Sequence, residues 1–124
     1  RLSLVGSEMC IRDRMSIARN MEIKAIVALT ESGSTALMLS RYRTNIPIYA
    51  FTRNEDTQRR VSLYRGVISY QYPFLVDSMA EVIEDVRKEL VGSSILKTGD
   101  LIVITSGAPL RVSGGTNSLR LIHI

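Results

Sequence analysis

The 124-residue sequence is long enough for one domain with a buried core and too short for two. Its composition, 45% hydrophobic and 23% charged, is that of a folded globular chain rather than a disordered one, and its apolar runs, such as Leu101 to Ile104, fall far below the roughly 20 residues a membrane-spanning helix needs. The net charge of +4 does not imply nucleic acid: Arg41, Arg43, Arg53, Arg59, Arg60 and Arg65 are interrupted by Glu55 and Asp56, and a modest basic excess is more often a solvated face.

Residues 1–14, RLSLVGSEMCIRDR, have neither a helical nor a strand period and precede a methionine, Met15. They read as a tail, either a disordered one or translated adapter sequence foreign to the domain, which is assigned to residues 15–124. Cys10, the only cysteine, lies in this tail. It has no partner for an internal disulfide, and a reducing cytoplasm is the expected setting.

From Lys24 onward, short apolar runs alternate with helical patterns, as expected of strands joined by crossover helices in an α/β fold. Ala25–Leu29 reads as a strand buried on both faces, followed by a helix over Ser34–Tyr42. Pro47 opens a second strand, Ile48–Thr52. A helix is predicted over Glu55–Arg65, with Gly66 ending it and a strand over Val67–Tyr70 following. The clearest periodicity spans Val76–Val91, with Met79, Ile83, Val86 and Leu90 on one stripe and Glu81, Glu84, Asp85 and Lys88 off it. Gly99 and Asp100 turn into a strand over Leu101–Thr105. The segment Ser106–Asn117 carries Gly107, Pro109, Gly114 and Gly115 and reads as a loop. It is too short for a crossover helix, so the closing strand Ser118–Ile124 is expected to run antiparallel.

Two loops follow strands at the sheet edge where ligands of open α/β folds bind. The first is Thr30-Glu31-Ser32-Gly33-Ser34-Thr35, at the start of a helix. A helix start offers unpaired N–H groups and a partial positive charge, Gly33 allows close backbone approach, and the hydroxyls of Thr30, Ser32, Ser34 and Thr35 can bond phosphate oxygens. The plainer reading is that Ser32 or Ser34 only caps the helix. In the second loop, Ser113, Gly114, Gly115 and Thr116 can form a nest of backbone donors beside Arg111, although glycine-rich loops are usually simple turns. His123 has no evident catalytic partner, and the acidic residues from Asp77 to Glu89 form a solvated helix face rather than a metal site. The sequence contains none of the usual phosphate-loop, dinucleotide or nucleophile-elbow motifs.

The string IVALTESGSTALMLSRYRTNIPIYAFTRNEDTQRRVSLYRGV, followed by GDLIVITSG and GGTNSLRL, resembles the C-terminal domain of the pyruvate kinase family, most closely its bacterial members. The resemblance implies a three-layer sandwich around a mostly parallel five-stranded sheet whose last strand is antiparallel. It also implies an effector site between the two loops, formed by Thr30, Ser32, Gly33, Ser34 and Thr35 on one side and Arg111, Ser113, Gly114, Gly115 and Thr116 on the other. The parent reaction, phosphoenolpyruvate and ADP to pyruvate and ATP, depends in this family on barrel and lid domains that hold the magnesium and potassium. None of those residues has a counterpart in this chain, so no cofactor is expected in it. The rest of such a chain and identical copies of it, usually in a tetramer, are the implied partners, besides a phosphorylated effector.

Members that bind fructose bisphosphate strongly tend to carry a basic residue where this chain has Glu31 and an arginine before the Gly-Asp turn, a place taken here by Ser93. A monophosphate is therefore the expected effector. The family domain begins with helical residues, of which Met15–Met21 supply part. Two other readings share the same loops: a free-standing sugar-phosphate binding module and a purely structural assembly domain.

Overall fold

The computed structural model describes residues 22–42, 45–72, 78–106 and 118–124. The 1–14 tail with Cys10, the Met15–Met21 segment, the expected helix start at Val76 and the second loop with Arg111, Ser113, Gly114, Gly115 and Thr116 lie outside the described residues. Among the described residues five strands and three helices follow in the order β1 (Ile23–Leu29), α1 (Ser34–Arg41), β2 (Ile48–Thr52), α2 (Glu55–Val61), β3 (Val67–Gln71), α3 (Met79–Gly92), β4 (Leu101–Ser106) and β5 (Ser118–His123).

The strands form one sheet in the order β3-β2-β1-β4-β5. All pairs are parallel except β4 with β5, which is antiparallel from Leu101↔His123 to Ser106↔Ser118. The α/β class, the mostly parallel sheet and the reversed last strand are thus as the sequence reading expects. β1 is central, and its residues Ala25 to Leu29 are all buried, because helices cover both faces. Ile26, Ala28, Ile48, Ala50, Val67 and Val103 face one layer, where Ala36 and Leu39 of α1 and Val61 of α2 pack. Ala25, Val27, Leu29, Tyr49, Phe51, Ile102 and Ile104 face the other, against Val82, Val86 and Leu90 of α3. A register irregularity between Ile23 and Ala25 puts Ile23 on the same face as Ile26, against the simple alternation of a strand.

Helix ends differ from the periodicity. Tyr42 caps α1 rather than belonging to it. α2 stops at Val61, four residues before the expected end. There the Ser62 hydroxyl donates to the Arg59 carbonyl at 2.6 Å, and Leu63 and Tyr64 take three-residue bonds to Arg60 and Val61, which unwinds the last turn. Leu63 consequently points to solvent, 86% exposed. On α3 the fully buried stripe is Val82, Val86 and Leu90, with Met79 and Ile83 flanking it half-buried. Ser93 is the α3 cap residue, several positions before the turn at Gly99 and Asp100 in the chain.

Candidate functional site

Strand order and connectivity define one special point on the sheet. From β1 the chain moves outward through β2 to β3, then returns across to β4 on the other side of β1. The connections therefore diverge between the carboxyl ends of β1 and β4, which is where a crevice opens in doubly wound sheets. The turn after β1 is Thr30 to Gly33, and β4 ends at Thr105 and Ser106. Buried hydroxyls floor this edge: Thr30, Thr52, Thr105 and Ser106 are all buried at the ends of β1, β2 and β4.

Thr30, Ser32, Gly33, Ser34 and Thr35 come together on one turn, as contiguity requires, but their roles divide. The Gly33 N–H donates to Thr30 Oγ1 at 2.9 Å, and Thr30 N–H donates to the Phe51 carbonyl at 3.0 Å, so Thr30 ties the turn to itself and to β2. Thr35 is buried in the first turn of α1. Ser32 and Ser34 are exposed, with hydroxyls 3.2 Å apart, and Ser34 N–H reaches Ser32 Oγ only at 3.4 Å. Neither serine caps α1. Gly33 takes that position at φ 88°, a left-handed conformation, with no side-chain cap bond. The capping reading is thereby corrected: the glycine conformation aims the chain into the helix and leaves the serine hydroxyls outside it.

Sequence reasoning missed the residues that brace this turn from β2 and α2. Arg53, just past β2, pairs with Glu31: Nε lies 2.9 Å from Oε1 and 3.0 Å from Oε2. Thr57 Oγ1 donates to the Glu31 carbonyl at 2.8 Å and accepts from Arg60 Nη2 at 3.2 Å. Asn54 holds the start of α2, its side-chain oxygen accepting from the N–H groups of Asp56 and Thr57 at 2.9 and 3.2 Å. The signal was present in the topology, because adjacent parallel strands place the residues following β1 and β2 side by side.

Across the sheet, Tyr72 donates to Asp85 Oδ2 at 2.6 Å, tying the end of β3 to α3. Burial, then this hydrogen bond and the charges of Asp85 and Glu81, push the Tyr72 phenol well above its ordinary value of 10.0. Among the described residues no group of three or more His, Cys, Asp or Glu side chains converges as a metal site. No described helix is long and apolar enough to cross a membrane.

The family model described as pyruvate kinase, alpha/beta domain, matches residues 8–122. A pyruvate kinase of Clostridium perfringens is 40% identical over 107 residues, covering 86% of this chain and 22% of that protein. One from Geobacillus stearothermophilus is 39% identical over 109 residues, covering 86% and 18%. One from Lactococcus lactis is 41% identical over 106 residues, covering 84% and 20%. The chain therefore spans about a fifth of the length of these relatives.

Proposed function

The chain belongs to the pyruvate kinase α/β domain family, and on that premise we propose that it is the regulatory and assembly part of a longer phosphotransferase, holding one phosphorylated small molecule at the carboxyl edge of its sheet. The observation that carries the reading is the position of the Thr30–Thr35 turn: it opens α1 where the sheet's connections diverge, with Ser32 and Ser34 exposed beside the helix start. A phosphate there draws on hydroxyl donors, first-turn N–H groups and the positive end of the helix dipole. Thr30, Gly33 and Thr35 shape the turn. In the sequence Arg111, Ser113, Gly114, Gly115 and Thr116 follow β4, and the family resemblance makes them the proposed second set of donors to the same ligand.

One helix start and an acidic residue in the turn favour a monophosphate, such as a hexose or pentose phosphate, over a bisphosphate. The parent reaction converts phosphoenolpyruvate and ADP to pyruvate and ATP in the cytoplasm. The family resemblance assigns the magnesium and potassium of that reaction to barrel and lid domains outside this chain. The rest of the longer chain supplies that chemistry. Assembly into an oligomer uses β5, whose outer edge has no neighbour among the described strands and whose Leu121 is 44% exposed.

Calorimetric titration of the chain with glucose 6-phosphate tests the binding site. Ser32→Ala combined with Ser34→Ala removes both exposed hydroxyls and is expected to weaken binding at least tenfold, on the scale of charge-assisted hydrogen bonds. Undiminished affinity in the double variant would move the site elsewhere.

A further inference from the structure

Glu31 belongs to the phosphate turn, yet its charge is turned toward the protein. Its side chain is 14% exposed, whereas that of Arg53 is 43% exposed. Oε2 accepts the Arg53 Nε–H at 3.0 Å. Oε1 lies 2.9 Å from the same nitrogen but off the N–H direction, so it is buried without a hydrogen bond of its own. The backbone of Glu31 is held as well, by the Thr57 hydroxyl.

A guanidinium at this edge is a natural partner for a phosphate, because its fork of N–H groups matches phosphate oxygens. The chain supplies its own carboxylate to that partner. Resting on the phosphoryl-binding reading above, we infer that the Glu31–Arg53 pair is a latch that withholds Arg53 from the ligand and so sets the preference for one phosphate over two. A second phosphate competing for Arg53 must leave a largely buried carboxylate without its counter-charge, which is costly in a poorly solvated position. Discrimination thus arises from competition for Arg53 and not only from repulsion by Glu31.

The two accounts separate in a mutant cycle. The 124-residue chain, Glu31→Gln, Arg53→Gln and the double variant are titrated with glucose 6-phosphate as the one-phosphate probe and fructose 1,6-bisphosphate as the two-phosphate probe. Glutamine keeps the shape of Glu31 and removes its charge. The latch requires Glu31→Gln to raise the ratio of bisphosphate to monophosphate affinity by about tenfold, and the double variant to lose that gain. A gain that persists without Arg53 would mean plain repulsion, and no gain would mean that Arg53 does not reach the ligand; either overturns the latch while monophosphate binding stands. If neither probe binds any of the four chains, the phosphoryl reading falls and the latch with it. Proton exchange at Arg53 Nε, followed by nuclear magnetic resonance without ligand, gives an independent arm: it should quicken in Glu31→Gln, and equal rates in both chains would overturn the latch.

Discussion

Gly33 faces Val61 so closely that a methyl group on its Cα would stand 2.8 Å from Val61 Cγ1. The turn that opens α1 is thus packed against the end of α2, and its glycine is required both for space and for its φ of 88°. Gly33→Ala should cost about 2–4 kcal/mol in urea unfolding, combining left-handed strain with overpacking. Measured in a Val61→Ala background, the cost of Gly33→Ala should lose its packing part and keep the strain. Gly66→Ala is the control: Gly66 is also left-handed, at φ 74°, but faces open space, so about 1 kcal/mol is expected. Equal costs at the two glycines would show that the contact with Val61 is harmless.

Asn54→Ala should destabilise the chain by about 1 kcal/mol, because it orphans the Asp56 and Thr57 N–H groups at the start of α2. Asn54→Asp should retain most of the stability. If thermal unfolding ranks the aspartate variant with the alanine variant, the side-chain oxygen is not the determinant.

The Tyr72 phenol carries a pH signature. Its pKa is raised in the folded chain above the ordinary 10.0, so above that pH the folded state holds the proton more tightly than the unfolded one. Stability is therefore full below about pH 10 and falls as pH rises beyond it. Tyr72→Phe should cost about 1–2 kcal/mol near neutrality through loss of the bond to Asp85 and should flatten this decline. Some slope should remain, since burial first and then Glu89 for Tyr70, and burial first and then Tyr70 for Tyr49, raise those phenols too. An unchanged slope in Tyr72→Phe, measured by denaturant titration across the alkaline range, would remove Tyr72 from this account.

Self-association through β5 can be separated from folding. Leu121 is 44% exposed, so Leu121→Lys should leave unfolding free energy within about 0.5 kcal/mol while reducing the oligomer fraction in sedimentation velocity. A wild-type chain that stays monomeric at high concentration would count against this edge as an assembly surface.

The architecture was largely legible because buried parallel strands leave plain marks. Ile48–Thr52 matches β2 at both ends, and the short loop before Ser118 correctly implied a reversed strand. The end of α2 was not legible, since Val61 and Tyr64 keep helical spacing while a serine hydroxyl diverts the backbone between them. On α3, Ile83 and Val82 both suit a stripe that starts at Met79, and only the packing against the sheet decides that Val82 is enclosed. For the site, the turn could be read from its hydroxyls and glycine. The Glu31–Arg53 pair could not, because charge pairing between residues 22 apart depends on which strands are neighbours.

The place of β1 at the centre also governs how the chain gets there. Its link to β2 joins residues 22 apart, as in Glu31 and Arg53, whereas its link to β4 joins residues 78 apart, as in Val27 and Thr105. Closing the longer loop costs about 1 kcal/mol more in chain entropy, and parallel pairing of distant strands is slow to form. During synthesis β1 must expose one full edge until β4 emerges behind α3, which makes the final quarter of the sequence the part that protects the first strand from wrong partners. If this closure limits folding, Ile102→Val in β4 should slow refolding in stopped-flow measurements more than Val67→Ala in β3, relative to the stability each removes; the reverse order would locate the barrier at the local crossovers instead.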